Sequence, residues 1–349
     1  MTRYTAGRVA LVGNERNIVD VPSHDTPPTA MAPALPYALE WAGRDSAAKR
    51  EEVAATLRAG NQDAAVLTDP ASIAWLLNIR GADVPFTPFA LGFALVHADA
   101  GCELFMAPLK VPQATRDWLG NAVSVQPRDA LPGALARLSG KRVRVDAAGS
   151  PAWFAQQLRS VGATVVAGMD PCLLPKASKN VVERQGSRNA HARDAVAVCR
   201  FLHWLEGAAG RESELSAAAH LLALRGEVAR FRGESFPAIS GAGPNGAVIH
   251  YRVSAESNRM IGANELYLID SGGQFEDRTT DITRTVWTGP DTPPAEIRDR
   301  VTRVMKGHIA LATLVFPQGV AGAHIDGFAR QALWQAGLDY DHGTGDGVG

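Results

Sequence analysis

No stretch of the 349-residue chain stays apolar for the roughly 20 residues that a membrane-spanning helix needs, and the opening MTRYTAGRVALVGNERN lacks the apolar core of a signal peptide. The expectation is a soluble, cytoplasmic protein with no membrane partner. Cysteine is scarce as well. Cys102, Cys172 and Cys199 are widely separated, odd in number and free of CxxC spacing, which argues against a disulfide framework or a cysteine-based zinc site and predicts buried, reduced thiols. Nor does one sign of charge dominate: 35 Lys plus Arg stand against 36 Asp plus Glu, a formal net charge of -1, so nothing global favours nucleic acid. Low-complexity tracts and short-period repeats are missing too, which argues against repeat architectures.

What is present is a globular composition, 46% hydrophobic and 20% charged, in a chain long enough for two cores. Val21 to Pro36 is dense in proline and should run extended, because proline fixes φ and removes a donor. After it the text alternates. A helix from Ser46 to Arg58 closed by Gly60, a strand at Ala64, a helix around Ile73 to Leu77, a hairpin turning at Asp99 to Gly101, and strands at Val123, Val143 and Thr164 predict an α/β domain over 41–175.

A connector, DPCLLPKASK, leads to a long helix from Asn180 to Gly207 and a second from Ser213 to Phe231. Strands follow at Ala247 (AVIHYRV), Glu265 (ELYLIDS) and Thr279 (TTDITRTVW), then helices Glu296 to Leu314 and His324 to Gly337. Helices, strands and helices again predict an α+β domain over 176–349, with helices on one face of a curved antiparallel sheet.

Gly241 to Gly246 (GAGPNG) fits GxGxxG, but Pro244 sits inside it and a β-branched strand is expected after it, where a dinucleotide fingerprint needs a helix. A tight turn at a pocket rim is the better reading. Glu265 to Thr288 is more informative. It reads as a long-looped hairpin in which Asp270 ends one strand and Asp281 lies early in the next, so pairing brings both carboxylates to one end of the ribbon. Two like charges so close repel, and a divalent cation would relieve them. Spacing alone leaves a second reading open, that of turn-capping aspartates bonded to backbone amides.

The text IDSGGQFEDRTTDITRTVWTG, with GPNGAVIHYRV before it, KGHIALATLVFPQG after it and LDYDHGTGDGVG at the end, resembles the catalytic domain of Xaa-Pro aminopeptidases within the pita-bread metallopeptidases. Upstream, PYALEWAGRDSAAKR and DPASIAWLLNIRGADVPFTP resemble the creatinase-like middle domain of the three-domain cytosolic form. The resemblance implies a creatinase-like α/β domain followed by an incomplete pita-bread domain, with 1–40 a remnant of a first domain and linker. It further implies two divalent metal ions, Mn²⁺ with Zn²⁺ or Co²⁺ as alternatives, Asp270 chelating one and Asp281 bridging both. The substrates it implies are peptides with proline second, the assembly a homodimer of the parent protein.

Taken as a strand and a loop residue, His250 and His342 read as structural histidines; the resemblance makes them active-site residues that contact substrate or stabilise the intermediate. His308 and His324 stay structural. Where the family has HGTGHGVG, with its second histidine a ligand, this chain has HGTGDGVG and Asp346 in that place. Both ends look cut relative to the family, and two glutamate ligands have no counterpart here. The expectation is a chain that binds metal weakly, has little or no peptidase activity and exposes apolar helix faces. A non-catalytic relative, a metal-free creatinase-like hydrolase and a prolidase are the rival readings.

Overall fold

Residues 30–345 are described by the structure, a computed structural model. The first nine residues of the proline-rich stretch, and Asp346, lie outside the described residues.

The first domain is built on a six-stranded mixed sheet. Its strands are β1 (Ala64–Leu67), β2 (Phe93–His97), β3 (Cys102–Phe105), β4 (Val123–Gln126), β5 (Arg142–Val145) and β6 (Thr164–Ala167), in spatial order β4-β3-β2-β1-β5-β6. β1 is buried along its whole length, as a strand covered on both faces must be. Its alternation sorts the core: Ala65 and Leu67 pack with Val53, Leu57 and Leu76, while Ala64 and Val66 pack with Leu135, Phe154 and Leu158 on the other side. Helix α1 (Ser46–Ala59) starts where Asp45 accepts the Ala48 amide, and α2 (Pro70–Leu77) starts where Asp69 accepts the Ala71 amide. The connector is not a loose linker, since Cys172 is fully buried in the first core.

Helix α3 (Val181–Leu205) opens the second domain with a capping box, Asn180 and Glu183 each holding the other's backbone amide. It pairs with α4 (Glu214–Gly226) over a three-stranded antiparallel sheet. That sheet is β8 (Ile239–Ala242), β9 (Glu265–Ser271) and β11 (Ile282–Thr288), while β7 (Phe231–Glu234) pairs with β10 (Gly273–Phe275) beside it. Phe201, Leu205, Leu221 and Leu224 from the helices meet Tyr267 and Ile269 from β9, a core on one face only. Helices α5 (Ala295–Ala312) and α6 (Gly322–Trp334) pack on each other, so tightly at Gly307 that a side chain there would strike the Ala329 carbonyl. Val301, Val304, Met305, Ile309, Phe328 and Trp334 on this pair are exposed, as expected of these helices.

Three expectations need correction. AVIHYRV forms no strand: Gly243–Ala247 is a 3₁₀ turn, and Val248 to Val253 runs on without a ladder. Its β-branched residues carry strand propensity, but Tyr251 is drawn inward to the Glu214 carboxylate, which fixes the segment as a loop. The second helix stops at Gly226 instead of reaching Phe231, which begins β7. Cys102 and Cys172 are buried, whereas Cys199 is exposed on α3.

Candidate metal centre

The ribbon β9/β11 pairs Asp270 with Thr283 and Ser271 with Ile282, and Asp281 is the residue just before Ile282. Both carboxylates therefore sit at one end of the ribbon. Strand alternation sends Tyr267, Ile269 and Ser271 inward beneath α3 and α4, and Asp270 to the opposite side with Leu266 and Leu268. Asp270 is half-buried and accepts a hydrogen bond from the Thr283 hydroxyl at 2.7 Å; Asp281 is exposed.

Between them the chain makes an excursion from Gly272 to Thr280. Gly272 can only be glycine, because a Cβ would run into the Thr280 carbonyl and the Ser235 hydroxyl. Asp194 on α3 and Arg225 on α4 lie under this excursion. They are 0% and 1% exposed and joined at 2.7 and 3.1 Å, the two-pronged geometry of a strong charge-assisted pair. Neither residue figured in the sequence reading, yet a signal was there. Asp194 stands among Ala190, Ala197, Val198 and Phe201 at helical spacing, and Arg225 beside Leu221 and Leu224, so each puts a charge on an apolar face.

A second hub carries the His250 turn. Glu214, 0% exposed at the start of α4, accepts from the Ala242 amide at 2.7 Å, Asn245 Nδ2 at 2.9 Å, the Tyr251 hydroxyl at 3.0 Å and the Arg259 amide at 3.2 Å. His250 is thereby held at φ 53°, a backbone conformation that a side chain seldom adopts and that the surroundings must impose. His342 lies beyond α6, exposed, its ring stacked on Tyr340 at 4.6 Å and its Nδ1 2.8 Å from the Gly343 carbonyl. His324 bonds the Ala321 amide and caps α6, a structural role.

The two aspartates and the neighbouring threonine hydroxyl form an all-oxygen set, and its chemistry suits a hard divalent ion. The pair fits such an ion as part of a ligand set. Among the described residues, no three His, Cys, Asp or Glu side chains are grouped to hold a metal on their own. Of the residues expected at the site, the aspartates share one end of a ribbon, while His250 and His342 occupy two separate turns.

Residues 25–183 match the Creatinase/Prolidase N-terminal domain, and residues 185–349 match Metallopeptidase family M24. Among curated relatives, the probable Xaa-Pro aminopeptidase P of Coprinopsis cinerea is 36% identical over 97% of this chain and 57% of its own length. That of Laccaria bicolor is 38% identical over 97% of this chain and 53% of its own. The chain thus spans little more than half the length of the curated relatives it matches. The crystal structure of X-prolyl aminopeptidase from Caenorhabditis elegans, a cytosolic enzyme with a di-nuclear active site, superposes with a TM-score of 0.85 at 32% identity, over 94% of this chain and 55% of that one. Prolidase from Pyrococcus horikoshii OT3 shares the fold at a TM-score of 0.66 and 18% identity, over 86% of this chain and 82% of that one.

Proposed function

This chain belongs to the family of Xaa-Pro aminopeptidase P, a creatinase/prolidase N-terminal domain joined to a metallopeptidase M24 domain, and from that premise we propose that the protein releases the N-terminal residue from peptides with proline second. The observation that carries the reading is the convergence of Asp270 and Asp281 at one end of the β9/β11 ribbon. In this reading Asp270 and Asp281 hold divalent ions, Mn²⁺ first among the candidates, with Asp346 as a further ligand in place of histidine. Bound there, the ions would acidify the attacking water and stabilise the charge that develops on the scissile carbonyl.

The rest falls to the chain's own side chains. Thr283 orients the Asp270 carboxylate, and in this reading His250, on the turn held by the Glu214 hub, and His342, in the turn after α6, are the residues that contact substrate. A cytosolic location and a homodimeric parent protein belong to the same proposal. So does weak metal binding with little turnover by this chain, because no three His, Cys, Asp or Glu side chains are grouped among the described residues and the further candidate ligand is a short carboxylate.

Calorimetry with Mn²⁺ on this chain and on Asp270→Asn, run beside cleavage of an Xaa-Pro peptide, tests the reading. Weak binding that Asp270→Asn abolishes is the expected result. Binding indifferent to that substitution sinks the metal site, and tight two-ion binding with fast turnover sinks the impairment. The small donor set also favours a second reading, a non-catalytic relative that binds peptides on the same scaffold. Peptide binding unchanged by chelator would select it.

A further inference from the structure

A buried ion pair stabilises little compared with apolar packing of the same volume, so the use made of its spare hydrogen-bonding capacity is informative. Arg225 Nη2, beyond its bonds to Asp194, reaches the Ser271 carbonyl at 3.4 Å. Asp194 Oδ2, in turn, accepts from the Thr280 hydroxyl at 2.5 Å. Ser271 is the residue after Asp270, and Thr280 is the residue before Asp281. The Thr280 oxygen also accepts from the Gly273 amide at 2.9 Å, which closes the base of the excursion. One ion pair, anchored in two helices, therefore holds the end of β9 and the last residue of the excursion, one residue from each carboxylate.

We propose that Asp194 and Arg225 are positioning residues, which act through Thr280 and Ser271 to fix the separation of Asp270 and Asp281 for divalent-ion binding. The inference rests on the reading of that aspartate pair as metal carboxylates. Ligand carboxylates are useful only within a few tenths of an ångström of a metal's preferred distance, and a hairpin with a nine-residue excursion between them would not hold that spacing alone. A hydrophobic filler at Asp194 and Arg225 would occupy the volume but hold neither Ser271 nor Thr280.

The experiment uses the full chain with Mn²⁺ as probe. Thr280→Val removes one hydroxyl at nearly constant volume, Thr280→Ser retains it, and Arg225→Lys keeps the charge but loses the two-pronged grip. Circular dichroism establishes folding, calorimetry gives Mn²⁺ affinity, and the visible spectrum of Co²⁺ reports ligand geometry. Thr280→Val and Arg225→Lys should weaken Mn²⁺ binding roughly tenfold or more and alter the Co²⁺ spectrum, with Thr280→Ser close to the parent. Folded variants that bind Mn²⁺ as the parent does overturn the positioning role and leave the metal site standing. A parent chain whose Mn²⁺ binding ignores Asp270→Asn overturns the metal reading, and the positioning role with it.

Discussion

Tyr37 and Arg278 meet across the joint between the two domains, Arg278 Nη1 donating to the Tyr37 phenol oxygen at 3.2 Å although 241 positions separate them. Arg278 also donates to the Glu183 carbonyl at 3.1 Å and pairs with the Glu183 carboxylate at 3.2 Å, both residues being buried. Arg278→Met leaves Glu183 without its buried counter-charge and should lower the stability of the second domain by about 3 kcal/mol, against about 1 kcal/mol for Tyr37→Phe. Urea unfolding followed by tryptophan fluorescence measures both; equal, negligible shifts would mean that the joint contributes nothing to folding.

Glu214→Ala strips the Tyr251 hydroxyl, Asn245 and two backbone amides of their acceptor in a buried setting. A loss of about 3 kcal/mol is expected, with Tyr251→Phe costing about 1 kcal/mol. Limited proteolysis should then cut near His250, where the parent resists.

Lys49 supplies a pH dependence with a definite sign. Burial, helped by Arg80, Arg278 and Arg44 nearby, brings its ammonium from the usual 10.5 down to about 7. The unfolded chain therefore binds the more protons between those values, and stability on this account is full above the upper one and lost as the pH falls through about 7. Urea midpoints at pH 7 and pH 9 should rise with pH in the parent and rise less in Lys49→Met. An identical rise in both would show that Lys49 is not the source.

Thiol labelling should single out Cys199. Burial pushes the Cys102 thiol up to about 12 and Cys172 well above its ordinary value, so neither offers thiolate at neutral pH. Mass spectrometry after brief maleimide treatment should find one adduct per native chain, at Cys199, and three only after unfolding.

The elements most legible in the sequence were those whose causes are local. The helical run from Asn180 marks the start of α3, and the strand-like text ELYLIDS marks β9 and, through it, the end of the ribbon where Asp270 lies. AVIHYRV misled because strand propensity needs a neighbouring strand, and the choice was made by a glutamate some 37 positions away. The Asp194–Arg225 grip and the Tyr37–Arg278 contact were invisible for the same reason: each depends on which helix or loop ends up beside which.

The excursion between the two aspartates also takes part in the domain joint. After leaving Asp270 it donates through Gln274 Nε2 to the Phe86 carbonyl of the first domain at 2.9 Å, then contributes Arg278 to the contact with Tyr37 before returning to Asp281. The segment is thus fastened to the neighbouring domain at its middle and carries one carboxylate at each end. Asp270 and Asp281 are therefore the two ends of a single segment that both domains touch.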